Sequence, residues 1–404
     1  MKEVPGGVTA AKGFRAAGMH CGIRKNTEKK DLALIFSDVP CSAAAVYTTN
    51  LVKASPLYVT MRHLENGALR AVIANSGNAN ACAPGGEDAA LRACAAAAAA
   101  LGIAKEDVAV ASTGVIGVPL PVGAIEDAAK PLAAKLSESG SDDAAEAIMT
   151  TDLTKKSIAV SFSLGGKTVT LGGIAKGSGM IHPNMGTMLS FLTTDARISA
   201  DMLQAALRES ARVTYNRISV DGDTSTNDMN LIMASGLAGN AEITEPGADY
   251  GVFLAALNRV NGFLAREMAR DGEGATKLIT CRVTGAGDTL AAERLAKSVI
   301  ASSLVKTAMF GADANWGRVL CAMGYSGAAF DPAGVSISFA SDSGEVQVCQ
   351  NGMGLAFDEV KAKEILTKSE VTIICSLGQG GGEAEAFGCD LSYDYVKING
   401  DYRT

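Results

Sequence analysis

The chain has 404 residues, 48% of them hydrophobic, which is enough for one large core or for two domains. A net charge of −7 with mixed signs throughout, and only 5% aromatic residues, exclude a nucleic-acid partner, which would need a basic patch and rings for stacking. Nine scattered cysteines without a CxxC pair point to reduced thiols in a cytoplasmic protein with no metal site, and the longest small-apolar run, Ala93 to Ala104, is too short for a membrane span.

In chain order, Ala71-Val-Ile-Ala74 reads as a strand and Ala89 to Leu101 as a helix, since alanine is the strongest helix former. Val108-Ala-Val-Ala111 reads as a further strand. Ile158, Val160, Phe162 and Leu164 alternate with small residues, and Gly165-Gly166 then closes a hairpin into a returning strand through Val169 and Leu171 that ends at Lys176. A strand-like segment, Leu189 to Asp195, follows a glycine-rich run. Phe253, Leu257, Val260 and Leu264 have the spacing of an amphipathic helix face. Leu278 to Val283, Val335 to Phe339 and Val371 to Cys375 complete the strands. Hairpins mixed with helices predict an α/β protein of layered, largely antiparallel sheets with helices outside.

Three motifs fail on inspection. Gly165-Gly-Lys-Thr168 lacks the opening glycine of a P-loop, because Ser161 stands there. Asp221 to Asp228 is similar to a calcium loop but has Thr226 where glycine is needed and Ile232 in place of the closing glutamate, so a turn or cap is expected. Gly285-Ala-Gly287 and Gly378 to Gly382 do not complete a dinucleotide fingerprint. No cofactor is expected.

The most informative stretch is Met185-Gly-Thr-Met-Leu189, behind the run Lys176-Gly-Ser-Gly-Met-Ile-His-Pro-Asn184. A threonine behind a small residue can turn its hydroxyl on the preceding carbonyl. An N-to-O acyl shift and hydrolysis would then leave Thr187 as a new N-terminus, whose α-amino group titrates near pH 8 and can act as the base for its own hydroxyl. The chain has three histidines, His20, His63 and His182, none in a Ser-His-Asp or Cys-His signature. The other reading of Gly186-Thr187 is a plain loop-to-strand junction.

From end to end the chain resembles the ornithine acetyltransferase family, also called glutamate N-acetyltransferase, of arginine biosynthesis. The resemblance rests on ordered landmarks, among them Ala74-Asn-Ser-Gly-Asn-Ala-Asn-Ala81, Ser112-Thr-Gly-Val-Ile-Gly117, Ile148-Met-Thr-Thr-Asp152, Asp271-Gly-Glu-Gly-Ala-Thr-Lys277 and Cys389 to Asn399. It implies a layered α-β-β-α sandwich of the N-terminal-nucleophile-like type, and cleavage between Gly186 and Thr187 into an α chain, 1–186, and a β chain, 187–404. It further implies an α2β2 assembly. Thr187 would take acetyl from N-acetylornithine, release ornithine and pass the acetyl to glutamate. Acetyl-CoA as a further donor is left open.

Carried over by residue, the resemblance places the nucleophile at Thr187, the oxyanion donors at Thr113 and Gly114, and substrate contacts at Thr150, Lys176, Thr187, Glu273, Asn399 and Thr404. The sequence departs from the family pattern at Gly186, usually alanine, and at Phe387, where tryptophan is expected. The alternative is a hydrolase or aminopeptidase in which water deacylates the same threonine. A binding protein that uses the glycine loops without chemistry is a third reading, and it predicts an uncut chain.

Overall fold

Leu32–Tyr47 is a single long strand that serves two halves of one sheet, and it sets the architecture of a computed structural model that describes residues 1–182 and 188–401. Along the chain the strands are β1 (Lys2–Val4), β2 (Phe14–Met19), β3 (Leu32–Tyr47), β4 (Ala68–Asn75), β5 (Val108–Ser112), β6 (Lys156–Leu164), β7 (Lys167–Lys176), β8 (Leu189–Thr194), β9 (Ile218–Ser219) and β10 (Met229–Ala234). All but β9 form the first sheet, ordered β1-β6-β7-β8-β10-β3-β4-β5, with β2 also paired to β3. The helices over this region are α1 (Ser55–His63), α2 (Gly86–Leu101), α3 (Val122–Ala134), α4 (Ser141–Ile148), α5 (Ala200–Val213) and α6 (Ala248–Arg270).

The first part of β3 pairs with β2 and β4, from Leu32↔Asn75 to Phe36↔Ala71, whereas its last part pairs with β10, from Ser42↔Ala234 to Tyr47↔Met229. Between them the ladder to β4 is irregular from Phe36 to Cys41. Pro40 lies in that interval, where a residue without an N–H suits a break in pairing. The two halves then face each other across one buried cluster. Ala33, Ile35, Val72 and Ala111 enter it from one half, Ile174, Phe191, Leu231 and Met233 from the other, and Ala144, Ala147 and Ile148 of α4 complete it.

Helices cover both outer faces. Ala90, Ala93 and Ala97 of α2 and Ile125 and Leu132 of α3 pack on Leu34, Ile73 and Val110, the small alanines letting the helix approach closely. On the opposite side Leu203 and Leu207 of α5 and Phe253, Leu257, Val260 and Leu264 of α6 pack on Val160, Leu171, Leu192 and Ile232. The four residues of the α6 stripe are completely buried, each contributing roughly 1.5–3 kcal/mol. This is the α-β-β-α layering that the family resemblance implies. The glycine hairpin is also present: β6 and β7 pair from Lys156↔Ala175 to Leu164↔Lys167, and Gly165 and Gly166 both have positive φ, at 52° and 77°.

The second sheet contains β9, β11 (Leu278–Ala286), β12 (Ser336–Ser341), β13 (Gly344–Gln350), β14 (Met353–Gly354), β15 (Glu370–Ser376) and β16 (Gly382–Cys389). One face is packed by α7 (Thr289–Ala301), α8 (Ser303–Phe310), α9 (Trp316–Gly324) and α10 (Glu359–Leu366), over a core that includes Ile279, Val283, Phe339 and Ile373. From β16 the chain enters α11 (Tyr393–Gly400), which has no buried residue. All nine cysteines are free thiols. No helix among the described residues is long and apolar enough to cross a membrane.

Candidate active site

A cavity of about 310 Å³ opens where the ends of β5, β7, β8 and β10 meet the loop after α6 and the C-terminal helix. It is lined by Thr113, Gly114, Thr150, Lys176, Glu273 and Asn399, residues drawn from most of the length of the chain. Ile181 and Met188 also line it. Thr187, the candidate nucleophile, with Gly186 and Thr404, lies outside the described residues.

Thr113 and Gly114 follow β5 directly, and their turn is fixed against the loop after β4. The Thr113 N–H donates to the Asn75 carbonyl at 3.0 Å, and Val115 is bridged to Asn78. Gly114 has φ +136°, and a Cβ there would lie 2.4 Å from the Gly77 carbonyl carbon, so any side chain is excluded. Asparagines hold this loop. Ser112 Oγ donates to Asn75 Oδ1 at 2.6 Å, and Asn227 Nδ2 donates to the carbonyls of Ala79 and Ser112 at 2.6 and 2.8 Å. With its N–H engaged, Thr113 has its hydroxyl left to donate. The Gly114 N–H makes no hydrogen bond to a described residue.

Lys176, at the end of β7, is buried, and its Nζ lies 3.3 Å from Thr113 Oγ1. Burial pulls its ammonium below the usual lysine range, against the opposing pull of Asp152 and Glu273. Asp152 is the counter-ion of the region. Its carboxylate accepts from Lys156 Nζ at 2.8 Å and from the N–H groups of Gly177 and Thr150 at 2.7 and 3.0 Å. Burial raises the Asp152 carboxyl, but the charges of Lys176 and Lys156 and these bonds outweigh it, and the group ends well below the usual carboxylate range. Lys156 Nζ also reaches Asp271 Oδ2 at 2.6 Å, joining β6 to the end of α6.

Glu273 is held by neutral donors. Thr151 Oγ1 donates to Oε1 and Asn399 Nδ2 to Oε2, both at 2.7 Å. Gly179 faces this carboxylate, and a Cβ there would meet it at 2.3 Å. The Asp221 to Asp228 motif, expected to form a turn or cap, clamps the loop after β7: Asp221 accepts from the N–H groups of Met180 and Ile181 at 2.6 and 2.9 Å. His182 lies in the same loop, 3.0 Å from Ser219 Oγ; burial and the nearby Lys297 lower its imidazole to about 4, so it is neutral at working pH.

The structure therefore gathers Thr113, Gly114, Thr150, Lys176, Glu273 and Asn399 at one cavity. Thr151, Asp152, Lys156, Ser178, Asn227 and Asp271, all involved in holding it, were not singled out from the sequence. The Thr-Thr-Asp run at 150–152 and the asparagines at 75, 78 and 80 were the available signals.

Residues 15–404 match the model of a family described as the ArgJ family. Among curated proteins the chain is similar to the arginine biosynthesis bifunctional protein ArgJ of Symbiobacterium thermophilum, 55% identical over 407 residues that cover 100% of both chains. Among solved structures it is similar to the arginine biosynthesis bifunctional protein argJ from Bacillus halodurans, with 45% identity, TM-score 0.49, and 52% of this chain and 97% of the other covered. It is also similar to the ornithine acetyltransferase of Mycobacterium tuberculosis complexed with ornithine, with 42% identity, TM-score 0.41, and coverage of 45% of this chain and 96% of the other.

Proposed function

The chain belongs to the ArgJ family, and on that premise we propose that it is a self-processing acetyltransferase of arginine biosynthesis, carrying acetyl from N2-acetylornithine to glutamate through an acetyl-threonine at Thr187. The observation that carries the reading is the convergence of Thr113, Gly114, Thr150, Lys176, Glu273 and Asn399 on one cavity that also includes Met188, the residue after Thr187.

Cleavage between Gly186 and Thr187 frees the Thr187 amine. That amine takes the hydroxyl proton as Oγ attacks the acetyl carbonyl carbon of N-acetylornithine. The negative charge that forms on the carbonyl oxygen is met by the Thr113 hydroxyl and the Gly114 N–H, donors of a kind worth about 3–4 kcal/mol each. The ammonium of Thr187 then gives its proton to the departing nitrogen, the C–N bond breaks and ornithine leaves. Glutamate enters with its amine neutral and reverses these steps, leaving as N-acetylglutamate.

The fold supports survival of such a cut. β8 and β10, which follow Thr187, sit in the middle of the first sheet, paired to β7 from Leu171↔Thr194 to Lys176↔Leu189 and to β3 from Tyr47↔Met229 to Ser42↔Ala234. Chains 1–186 and 187–404 would remain joined by continuous backbone ladders and shared core.

Intact-mass measurement of the wild type beside Thr187→Ala, with an assay of ornithine release from N-acetylornithine in the presence of glutamate, tests the reading. Two fragments meeting at Gly186/Thr187 and N-acetylglutamate as product are expected from the wild type alone. An uncut active chain, or hydrolysis to acetate without glutamate acetylation, overturns it. Substituting acetyl-CoA for N-acetylornithine in the same assay determines whether that donor is also used.

A further inference from the structure

Three of the carboxylates around the buried lysines, Asp152, Asp271 and Glu273, are not equivalent. Asp152 and Asp271 are both paired to Lys156, at 2.8 and 2.6 Å. Glu273 has no ion pair within 4.0 Å among the described residues, although it is 8% exposed and lines the cavity. The partners of its carboxylate are uncharged: Thr151 Oγ1 and Asn399 Nδ2, each 2.7 Å away. Neutral donors orient a carboxylate without cancelling its charge. Two of its roughly four lone-pair sites are thereby filled, and the others stay available to a cation in the cavity.

The direction of the hydrogen bonds follows from proton count. Thr151 Oγ1 lies 2.7 Å from Glu273 Oε1, which only accepts, and 2.7 Å from Ser178 Oγ. A hydroxyl has one proton, so Thr151 gives its own to Glu273 and accepts from Ser178. The chain runs Ser178 to Thr151 to Glu273, and its first member is 1% exposed, enclosed and fixed. The Glu273 N–H returns to the Ser178 carbonyl at 2.9 Å, closing the arrangement into a ring.

We infer that Thr151 is a positioning residue for substrate selection: backed by Ser178, it holds the Glu273 carboxylate so that its free lone pairs receive the side-chain ammonium of an acylated diamino acid. The inference rests on the acetyl-transfer reading above and adds to it the residue that makes charge recognition directional. A carboxylate free to rotate would still attract a cation, but it would do so without fixing the position of the acyl group at the other end of the substrate.

The test compares N-acetylornithine with N-acetylnorvaline, which has the same carbon chain without the ammonium, as acetyl donors for the processed wild type, Thr151→Val, Thr151→Ser and Ser178→Ala. Discrimination, the ratio of kcat/KM values for the two donors, should fall about tenfold in Thr151→Val, carried by KM for N-acetylornithine. It should return to within about twofold of wild type in Thr151→Ser and take an intermediate value in Ser178→Ala. An unchanged ratio in Thr151→Val, or an equal loss for both donors through kcat, overturns the inference and leaves the acetyl-transfer reading intact. A wild type that releases no ornithine overturns that reading, and this inference with it.

Discussion

Asn399 Nδ2 donates to Glu273 Oε2 across 2.7 Å, tying a helix without buried residues to the wall of the cavity. The attachment is reinforced nearby, where Ser392 Oγ donates to the Gly274 carbonyl at 2.6 Å and a Cβ on Gly274 would lie 2.5 Å from the Tyr395 nitrogen. The C-terminal helix is thus held against the cavity by its polar side chains and its backbone.

Removing residues 399–404 should therefore abolish acetyl transfer while leaving cleavage at Gly186/Thr187 intact. The milder Asn399→Ala should raise KM for N-acetylornithine by about tenfold or more, the effect of losing a hydrogen bond to a charged group. Steady-state kinetics alongside electrophoresis of the two fragments measures both. Normal turnover in the truncated protein would refute the assignment.

Gly114→Ala tests the donor turn. The added methyl would meet the Gly77 carbonyl carbon at 2.4 Å and the Asn78 nitrogen at 2.5 Å, and both are backbone atoms of the loop between β4 and α2. With φ at +136° as well, the variant should lose about 2–4 kcal/mol of stability and nearly all turnover. Denaturant unfolding and single-turnover acetylation are the measurements. Wild-type values in both would show that the turn has room the geometry denies.

Much of this fold was legible because its signals are local. Phe253, Leu257, Val260 and Leu264 share a helix face by spacing alone, and the Gly165-Gly166 turn needs only its own dihedral angles. The continuity of β3 past Pro40 was not legible, since only the pairing of its neighbours shows that the strand runs on both sides of the irregular stretch. At the site, Thr113, Thr150, Glu273 and Asn399 are single polar residues whose individual patterns favour turns, caps or solvent. Their joint meaning came from resemblance to a family. The Asp152–Lys156–Asp271 group escaped altogether, because the approach of position 271 to position 156 is decided by how α6 packs on β6.

That buried group predicts a particular acid response. Asp152 is depressed in the folded protein, so its stabilisation is present above the unfolded carboxyl value near 4 and is lost as pH falls through the folded value. Asp152→Asn leaves Lys156 and Lys176 short of a counter-charge and should cost about 3–5 kcal/mol at neutral pH. The gap to wild type should narrow on acidification below about pH 4. Urea titrations from pH 7 down to pH 3 would reveal it, and a gap independent of pH would assign the loss to packing instead of charge.

Asp228 should show the opposite dependence. Asp228 directly precedes β10, whose Met229 N–H donates to the Met188 carbonyl at 2.8 Å; its side chain is 1% exposed, and its Oδ2 has no hydrogen-bond partner among the described residues. Burial pushes this carboxyl well above its ordinary range, with the Ser225 and Thr48 side chains, the Lys176 charge and the Met188 amide opposing only in part. A raised carboxyl stabilises the fold fully below the unfolded value near 4, and this contribution is lost as pH rises toward the folded value. Across that window the wild type should lose about 1.4 kcal/mol per pH unit relative to Asp228→Asn, which keeps the shape and cannot ionise. The two proteins should then converge in stability near pH 4 and separate toward neutrality, with the variant the more stable. Parallel stability profiles between pH 4 and pH 8 would mean that Asp228 ionises in the folded protein as readily as in the unfolded chain, and that a charged carboxylate must be counted among the groups facing Lys176.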